Sequence, residues 1–333
     1  MNLQLVNVLL LGTAFHLIFF SFQTSVFIQQ TVVNSIKTKP EYNFTGNGYI
    51  SLCITYTVFA LSNWLAPSII ALTGIKYGMV LGSLTYVLYS ASFIYPTTGL
   101  FYTAAAIIGI GAGPLWTAQG SYLAKNSDAS TSGRNAALFW SMLQSSILFG
   151  NIFVYLAFNS QIVISDQMRY IVYGVLTVVC ALGTLVLVML RDNSRTLIIS
   201  EDNVGALGQF IGALKLAKTP NMVMLALAFL FTGQLLSFFT GVYGTAIGAT
   251  TQFGLDAKKY IGLSGVFIGI GEILGGSVFG LLGTKVSKTL RRDTIFVLGY
   301  LVTMVALSII FVNLPPDSSI VERAKIAPIV EPR

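Results

Sequence analysis

A single acidic residue lies inside a long apolar stretch in the C-terminal third of the sequence. Glu272 stands in GIGEILGGSVFG, residues 269–280, within an apolar run from Tyr260 to Gly283. A carboxylate at the centre of a bilayer costs several kcal/mol, so it indicates a function. Two interpretations are open: a group that couples transport to protons or cations, or a protonated carboxyl that hydrogen-bonds a neighbouring helix.

Glycine recurs around this acid at helical spacing. Successive members of the set are four, three, four, four and three residues apart, which places them on one helix face. Small residues let helices approach closely in lipid, so we expect this face to meet protein or an internal water-filled cavity. The set is Gly265, Gly269, Glu272, Gly276, Gly280 and Gly283.

Other polar residues also fall inside apolar stretches. Together with Glu272 they predict a central cavity that hydrogen-bonds a small polar solute. The alternative is hydrogen bonding between helices, worth about 0.6 kcal/mol for each pair. The cavity candidates are Gln23, Trp116, Gln119, Gln144, Asn151 and Gln234. His16, the one histidine in the chain, is more readily interpreted as a packed side chain than as a proton relay.

The sequence contains no residue set typical of an enzyme. One histidine and two cysteines do not suggest a zinc site, and neither a nucleophile–base pair nor a Walker sequence is found. GIGAGP at 109–114 lacks dinucleotide-loop spacing and instead predicts a kinked or closely packed helix. Cys53 and Cys180 are expected to be small buried side chains. We therefore predict no enzyme activity, no cofactor and no metal site.

The elements that position these residues follow from composition. Of 333 residues, 54% are hydrophobic and 9% are charged, and the mean hydropathy is +0.77. A transmembrane helix needs about 20 apolar residues, and lipid offers the backbone no other partner. The sequence therefore predicts an all-α, polytopic membrane protein. The nine predicted transmembrane helices are 5–28, 48–72, 78–96, 99–123, 135–158, 170–190, 221–244, 260–283 and 294–313.

The basic residues predict the orientation of this bundle. With a cytoplasmic N-terminus, eleven Lys and Arg residues fall in inside loops and five in outside loops, as the positive-inside rule requires. The net charge of +7 is spread over short loops, so we do not expect nucleic acid as a partner. The sequon at Asn43 falls in the first outside loop and predicts a glycan there. We expect a multi-pass protein of the plasma membrane or an endosomal membrane.

The spacing of the spans divides the chain. Residues 1–190 form a predicted six-helix half, and 191–220 a cytoplasmic linker whose apolar residues fit either an interfacial helix or a plain connection. Residues 221–313 form three helices of a second half, and 314–333 a polar tail. Two six-helix halves are the plan of the major facilitator superfamily, so twelve helices are expected where nine are present. We expect that the last three are missing.

Four stretches carry a resemblance to a known family. They are LWTAQG at 115–120, LQSSILFGN at 143–151, GVYGTAIGAT at 241–250 and IGLSGVFIGIGEILGGSVFGLLG at 261–283. Through them the whole chain resembles the uncoordinated-93-like branch of the major facilitator superfamily. The resemblance implies a bundle of twelve helices and a membrane protein with a role in transport, whose substrate it does not define. Family members also include a channel-regulating subunit and a receptor chaperone.

The chain departs from the superfamily's cytoplasmic motif, G-x-x-x-D-[RK]-x-G-[RK]. In the first copy Lys76 and Gly78 match, but Ala71 and Ile75 replace the Gly and Asp. The second copy matches at Gly280, Lys285 and Lys288, while Thr284 and Ser287 replace the Asp and Gly. Both acids of the usual gating relay are absent. Leu235 also stands where similar proteins carry a glutamate.

Three functional hypotheses remain open from the sequence. The first is a secondary transporter of a small polar solute, with or without proton coupling through Glu272. The second is a regulatory or trafficking subunit of another membrane protein, which the degenerate motif favours. The third is an incomplete, inactive isoform, because the substrate site of the superfamily forms between its two halves.

Overall fold

The computed structural model describes residues 3–158, 164–191, 206–281, 292–315 and 317–318. These residues are almost entirely helical, which confirms the predicted all-α fold. The helices are α1 (Leu3–Lys37), α2 (Gly48–Thr73), α3 (Ile75–Ser92), α4 (Thr98–Lys125), α5 (Ser132–Ala157), α6 (Asp166–Met189), α7 (Ala206–Ala217), α8 (Pro220–Ser237), α9 (Gly244–Ala249), α10 (Ala257–Leu281) and α11 (Arg292–Asn313).

Each predicted transmembrane stretch coincides with one of these helices, and α8 and α9 share a single stretch. Among the described residues, seven helical segments are long and apolar enough to cross a membrane. The two long helices outside that group are α3, which is rich in Tyr and Ser, and α10, which carries two lysines and Glu272. Both pack along a neighbour, α3 on α4 and α10 on α5. The multi-pass architecture is confirmed, and seven helical segments meet the length and hydropathy requirement within the described part of the chain.

Local sequence sets several of the helix ends. The Asn47 side chain accepts hydrogen bonds from the amides of Tyr49 and Ile50 and so caps α2. Thr97 caps α4 in the same way. Between α2 and α3 the chain turns at Gly74, whose φ of 79° favours glycine over any L-residue.

The first six helices enclose an aromatic core. Helix α1 packs along α5 and α6, α3 packs along α4 and α6, and α2 packs along α4. Phe93 and Tyr173 stack with ring centroids 4.3 Å apart, and Phe15 meets Phe139 edge to face at 5.2 Å. Such pairs add about 0.5–1.5 kcal/mol beyond the burial of their area, so they help to hold α1, α3, α5 and α6 together.

The GIGAGP segment lies inside the continuous helix α4, as the prediction of a packed helix requires. A Cβ at Gly109 would lie 2.7 Å from the Thr55 carbonyl oxygen, and one at Gly113 would lie 2.5 Å from the Ser62 hydroxyl. These glycines therefore allow α4 to contact the backbone of α2. Ser62 also donates a hydrogen bond of 2.7 Å to the Ile110 carbonyl across this interface.

One membrane-crossing segment is wound unevenly. Helix α8 continues through a π-helical segment, Phe238–Tyr243, into α9, so that Pro220–Ala249 forms one helical path. A 3-10 turn, Thr251–Asp256, then leads into α10. In the linker, α7 confirms that a helix forms there and lies beside α2. Its position at a membrane surface stays a prediction.

Candidate functional site

The closest packing around the predicted site is between α5 and α10, which run antiparallel. A Cβ at Gly262 would lie 2.5 Å from the Tyr155 amide nitrogen, and one at Gly269 would lie 2.6 Å from the Leu148 amide nitrogen. Between them, a Cβ at Gly265 would collide with the side-chain amide of Asn151. Three glycines on one face thus bring the two backbones into contact. The side-chain positions at 276–281 lie outside the described part, so the packing role of Gly276 and Gly280 stays a prediction.

Glu272 lies one turn beyond these glycines along α10. The residue is half-buried, and its Oε2 atom is inaccessible and has no hydrogen-bond partner. The exposed side chains of α10 nearest in sequence are Phe267, Ile270 and Leu274. At 100° per residue, Glu272 lies about 140–160° around the helix from each of them. The carboxyl therefore points away from the face that contacts lipid and toward the interior of the bundle.

Two of the polar candidates lie close to this interface. Gln23 of α1 accepts a hydrogen bond of 2.8 Å from the Ser146 hydroxyl of α5. Asn151 is buried and donates to the Ile147 carbonyl within its own helix, while its Oδ1 has no partner. This oxygen is inaccessible and lies against Gly265, so Asn151 is part of the packed contact between α5 and α10.

The remaining candidates divide into two groups. Gln119 is buried, and Gln144 and Trp116 are half-buried. Trp116 stacks on Trp140 of α5 with the ring centroids 5.9 Å apart and the planes inclined by 21°. Gln234, in contrast, is exposed on α8, and the structure does not bring it to the other polar residues.

The two cysteines and the histidine were each expected to be packed inside the bundle. Cys180 is buried as expected, but Cys53 is exposed on α2, so that expectation was wrong for Cys53. The apolar composition of α2 is similar all around the helix, and therefore it did not reveal which side faces out. The His16 ring forms a hydrogen bond of 2.8 Å with the Ser145 hydroxyl and meets the Phe149 ring edge to face. These contacts agree with its interpretation as a packed side chain.

The contact between α2 and the π segment involves residues that sequence reasoning missed. The Tyr49 side chain lies beside Thr245, and the Tyr56 side chain lies beside Thr240. Each threonine hydroxyl donates to the carbonyl four residues earlier in its own helix, so a hydrogen bond across the interface would be donated by the tyrosine. Tyr49 and Tyr56 are seven residues apart on α2, a spacing that places both on one face. This spacing is the sequence pattern from which a common contact face for the two tyrosines could have been predicted.

A second missed group lies at the end of the bundle where Asn43 is found. The guanidinium of Arg169 is 2% exposed and donates to the carbonyls of Phe93 and Ile94 and to the Tyr42 hydroxyl. It also pairs with Asp166 at 2.9 Å. The hydrogen bond with Tyr170, together with burial, raises the pKa of Tyr42 to about 12. One buried arginine thus ties the first loop, the end of α3 and the start of α6 together.

The first loop presents the sequon on a turn. Asn43 is exposed, adopts a left-handed conformation with φ of 42°, and follows the 3-10 turn Pro40–Tyr42. The Thr45 amide donates to the Thr98 hydroxyl at 3.0 Å. The Asn43 side chain is therefore accessible, and glycosylation there stays a prediction.

The remnants of the cytoplasmic motif are partly described. Lys76 is half-buried in the first turn of α3. Gly78 is buried, and a Cβ there would meet Ile70 and Thr73 at an ordinary 3.5 Å. Lys285 and Lys288 lie outside the described residues. No ion pair involving Lys76 is found within the described ranges.

Comparison with known proteins identifies the family. Residues 43–333 match the family profile described as "Ion channel regulatory protein UNC-93". The chain belongs to the UNC-93 family. UNC-93 relatives include "UNC93-like protein MFSD11" of Xenopus laevis, 41% identical over 338 residues that cover 96% of this chain and 75% of the relative. The protein of the same description in Xenopus tropicalis is 42% identical, with the same coverage.

More distant UNC-93 relatives extend to plants and mammals. "UNC93-like protein 3" of Arabidopsis thaliana is 27% identical over 86% of this chain and 60% of its own length. "Protein unc-93 homolog A" of Homo sapiens is 23% identical over 90% of this chain and 71% of its own length. The predicted family is confirmed. These are membrane proteins, and their descriptions do not decide between transport and regulation.

Proposed function

We propose that this chain is a secondary transporter that carries a small polar solute by alternating access, with Glu272 in its solute or coupling site. The supporting observation is where the two groups of helices meet. The π segment and α9 pack on α1 at the end of the bundle that carries Asn43, and Gly241 of the π segment lies beside Leu52 of α2. Helix α8, which continues toward the opposite end, has no buried side chain. An interface closed at one end and open at the other fits an inward-facing carrier.

The contacts at the closed end are both polar and tightly packed. The tyrosine–threonine pairs Tyr49–Thr245 and Tyr56–Thr240 join α2 to the π segment and α9. Beside them, a Cβ at Gly244 would lie 3.2 Å from the Phe27 ring of α1. A hydrogen bond in each pair would contribute about 0.5–1.5 kcal/mol, so a closure that contains two such pairs remains reversible.

The multi-pass helices place the chain in a lipid bilayer. We propose that the N-terminus is cytoplasmic and that the Asn43 end faces outside, in the plasma membrane or an endosomal membrane.

Alternation is tested by labelling. We would replace Tyr56 with cysteine in a Cys53→Ser background and apply a membrane-impermeant thiol reagent from the Asn43 side. A transporter should expose position 56 in part of the population. Adding Tyr49→Cys and Thr245→Cys and oxidising them should abolish the labelling, and reduction should restore it. No labelling at position 56 in the reduced protein under any pH gradient would refute alternating access.

A second candidate is a regulatory subunit of a membrane channel, and one observation favours it. The matched family is described as an ion channel regulatory protein, and both copies of the cytoplasmic motif lack their acid. Purification in mild detergent separates the two functions. A stoichiometric channel partner, together with a cysteine at position 56 that is never labelled, would favour regulation. Labelling that shows alternation, without a partner, would favour transport.

A further inference from the structure

Trp140, which stacks on Trp116 of α4, lies on the side of α5 that faces away from lipid. The exposed side chains Phe149, Ile152 and Leu156 define the lipid face of this helix. Trp140 precedes Phe149 by nine residues, which at 100° per residue is half a turn around the helix. Trp140 is nevertheless 46% exposed. Part of its indole is therefore accessible from inside the bundle rather than from the bilayer.

Aromatic rings support the covered side of this pair. Trp116 stacks against Trp140 at 5.9 Å. The rings of Phe15 and Phe19 meet Trp116 edge to face at 5.6 and 5.0 Å. The interior surface next to Trp140 is therefore an aromatic face held in a fixed orientation.

The contacts between α5 and α10 place Glu272 close to this aromatic face. Gly269 lies against Leu148, and the two helices run antiparallel. Glu272 lies three residues beyond Gly269 on α10, and Gln144 lies four residues before Leu148 on α5. Glu272 is therefore level with Gln144, which is one turn from Trp140. One turn is about 5.4 Å along the helix axis, within the span of a small organic molecule.

The Glu272 carboxyl has no basic partner among the described residues. The two ion pairs found there both involve Asp166. Lys258 and Lys259 are the nearest basic residues of α10, 13 or more residues away, which corresponds to about 20 Å. On the packed neighbours, α5 carries Lys or Arg only at Arg134 and α1 only at Lys37, near their ends. His16 of α1 is bonded to the Ser145 hydroxyl and the Met142 carbonyl of α5, and no ion pair joins it to Glu272 among the described residues. A carboxylate without a counter-ion in this position favours a positively charged ligand.

We propose that the site formed by Glu272, Trp116 and Trp140 binds a small organic cation, an amine or quaternary ammonium. Cations bind over indole faces because the negative face of the ring attracts them, and the half-buried Glu272 carboxylate supplies the opposite charge. The half-buried Gln144 side chain, one turn from Trp140, adds an acceptor for N–H or O–H groups of the ligand. An anionic solute would meet the same carboxylate and be repelled. This assignment of a substrate class rests on the proposed transport function, because it places the ligand between the two groups of helices.

Tryptophan fluorescence measures binding directly. The chain has three tryptophans, and Trp64→Phe leaves Trp116 and Trp140 as the two that report. Choline should quench them saturably, while its uncharged carbon isostere 3,3-dimethyl-1-butanol should not. Glu272→Gln, which keeps the shape, should weaken choline affinity by at least about tenfold. Equal quenching by both probes, or an unchanged affinity in Glu272→Gln, would overturn the proposal.

A second pair of variants separates the aromatic contribution from folding. Trp140→Tyr keeps a ring and should retain choline binding, measured by equilibrium dialysis with radiolabelled choline, whereas Trp140→Leu should lose at least about fivefold. Both should elute as the same monodisperse peak. Equal affinity in these two variants would contradict the aromatic site.

Counterflow of radiolabelled choline in proteoliposomes distinguishes this proposal from the transport function. Saturable binding with counterflow supports both. Binding without counterflow keeps the cation site and refutes its use in transport. Alternation at position 56 without any choline binding keeps the transport function and refutes the cation site.

Discussion

Gly265 of α10 lies against the side-chain amide of Asn151 on α5, with no room for a methyl group between them. Gly262 and Gly269 make similar approaches one turn to either side. The orientation of Glu272 toward the interior depends on this contact, because it fixes the rotation of α10 on α5.

Enlarging Gly265 should therefore separate the two helices. We expect Gly265→Val to lower the free energy of unfolding by about 1–3 kcal/mol, as overpacking does. Thermal unfolding followed by size-exclusion chromatography in detergent measures the loss. Gly271→Ala is the matched control, since a Cβ there meets nothing within 4 Å and alanine favours the helix. Equal losses in the two variants would contradict the packing.

Removal of Arg169 should destabilise the Asn43 end of the bundle. Arg169→Ala leaves the carbonyls of Phe93 and Ile94 without their donor and opens a cavity, so we expect a loss of at least about 3 kcal/mol. The same thermal assay applies. Lys39→Ala removes only a partly exposed partner of Asp166 and should cost less than about 1 kcal/mol. A mild phenotype for Arg169→Ala would show that the cluster is dispensable.

Weakening the tyrosine–threonine pairs should open the closed end. In the double variant Tyr49→Phe, Tyr56→Phe, each ring keeps its packing and loses one donor. We expect thiol labelling from the Asn43 side to rise at least about threefold at a cysteine that replaces Leu52, which lies beside Gly241, in a Cys53→Ser background. The loss of two hydrogen bonds worth about 0.5–1.5 kcal/mol each accounts for this rise. Tyr77→Phe, at an exposed tyrosine of α3, is the control and should leave the rate unchanged. No rise in the double variant would show that the closure depends on packing alone.

The Asn43 turn should carry a glycan when the chain is expressed in a eukaryotic cell. We expect one electrophoretic shift that is sensitive to glycosidase, absent in Asn43→Gln and in Thr45→Ala. Asn47→Gln, a change in the same loop outside the sequon, should keep it. A stable, folded protein without any shift would argue that this loop faces the cytoplasm.

The turn between α4 and α5 should respond to pH only in strong acid. Hydrogen bonds from Ser130 and Thr131 lower the pKa of Asp128 to about 2 from its ordinary value near 3.8. Because the folded pKa is lowered, the ionised carboxylate stabilises the turn at any pH above the ordinary pKa. This stabilisation is lost as the pH falls through about 2. Amide exchange at Ser130 and Thr131 should therefore keep its protection at pH 4 and lose it in Asp128→Ala. Loss of protection already at pH 4 would contradict these bonds.

Much of the fold was predictable because lipid restricts the chain to few structures. An apolar stretch of 20 residues must form a helix, so the spans from 5–28 to 294–313 were found within several residues. The glycines around Glu272 also indicated a packed face, because the helical spacing of residues such as Gly265 and Gly269 is visible in the sequence without knowing which helix they contact.

The rest depended on contacts that are distant in sequence. Gln234 was grouped with the cavity because nearly uniform hydropathy along α8 hides which side is exposed. Tyr56 meets Thr240 across 184 positions of the chain, and Arg169 meets Phe93 across 76. No local pattern contains that information. The π segment was also missed, since its sequence is as apolar as an ordinary helix.

The wider winding at Phe238–Tyr243 has a geometric consequence for the segment that follows. A π bulge is equivalent to one extra residue within an α-helix. In a regular α-helix Thr240 and Thr245, which are five residues apart, would lie about 140° apart around the axis. The i→i+5 winding of the π segment brings residues five apart close to one face, so both threonines lie beside α2. The extra residue changes the angle between the side chains before and after it, so that two parts of one helical segment face the same neighbouring helix, α2.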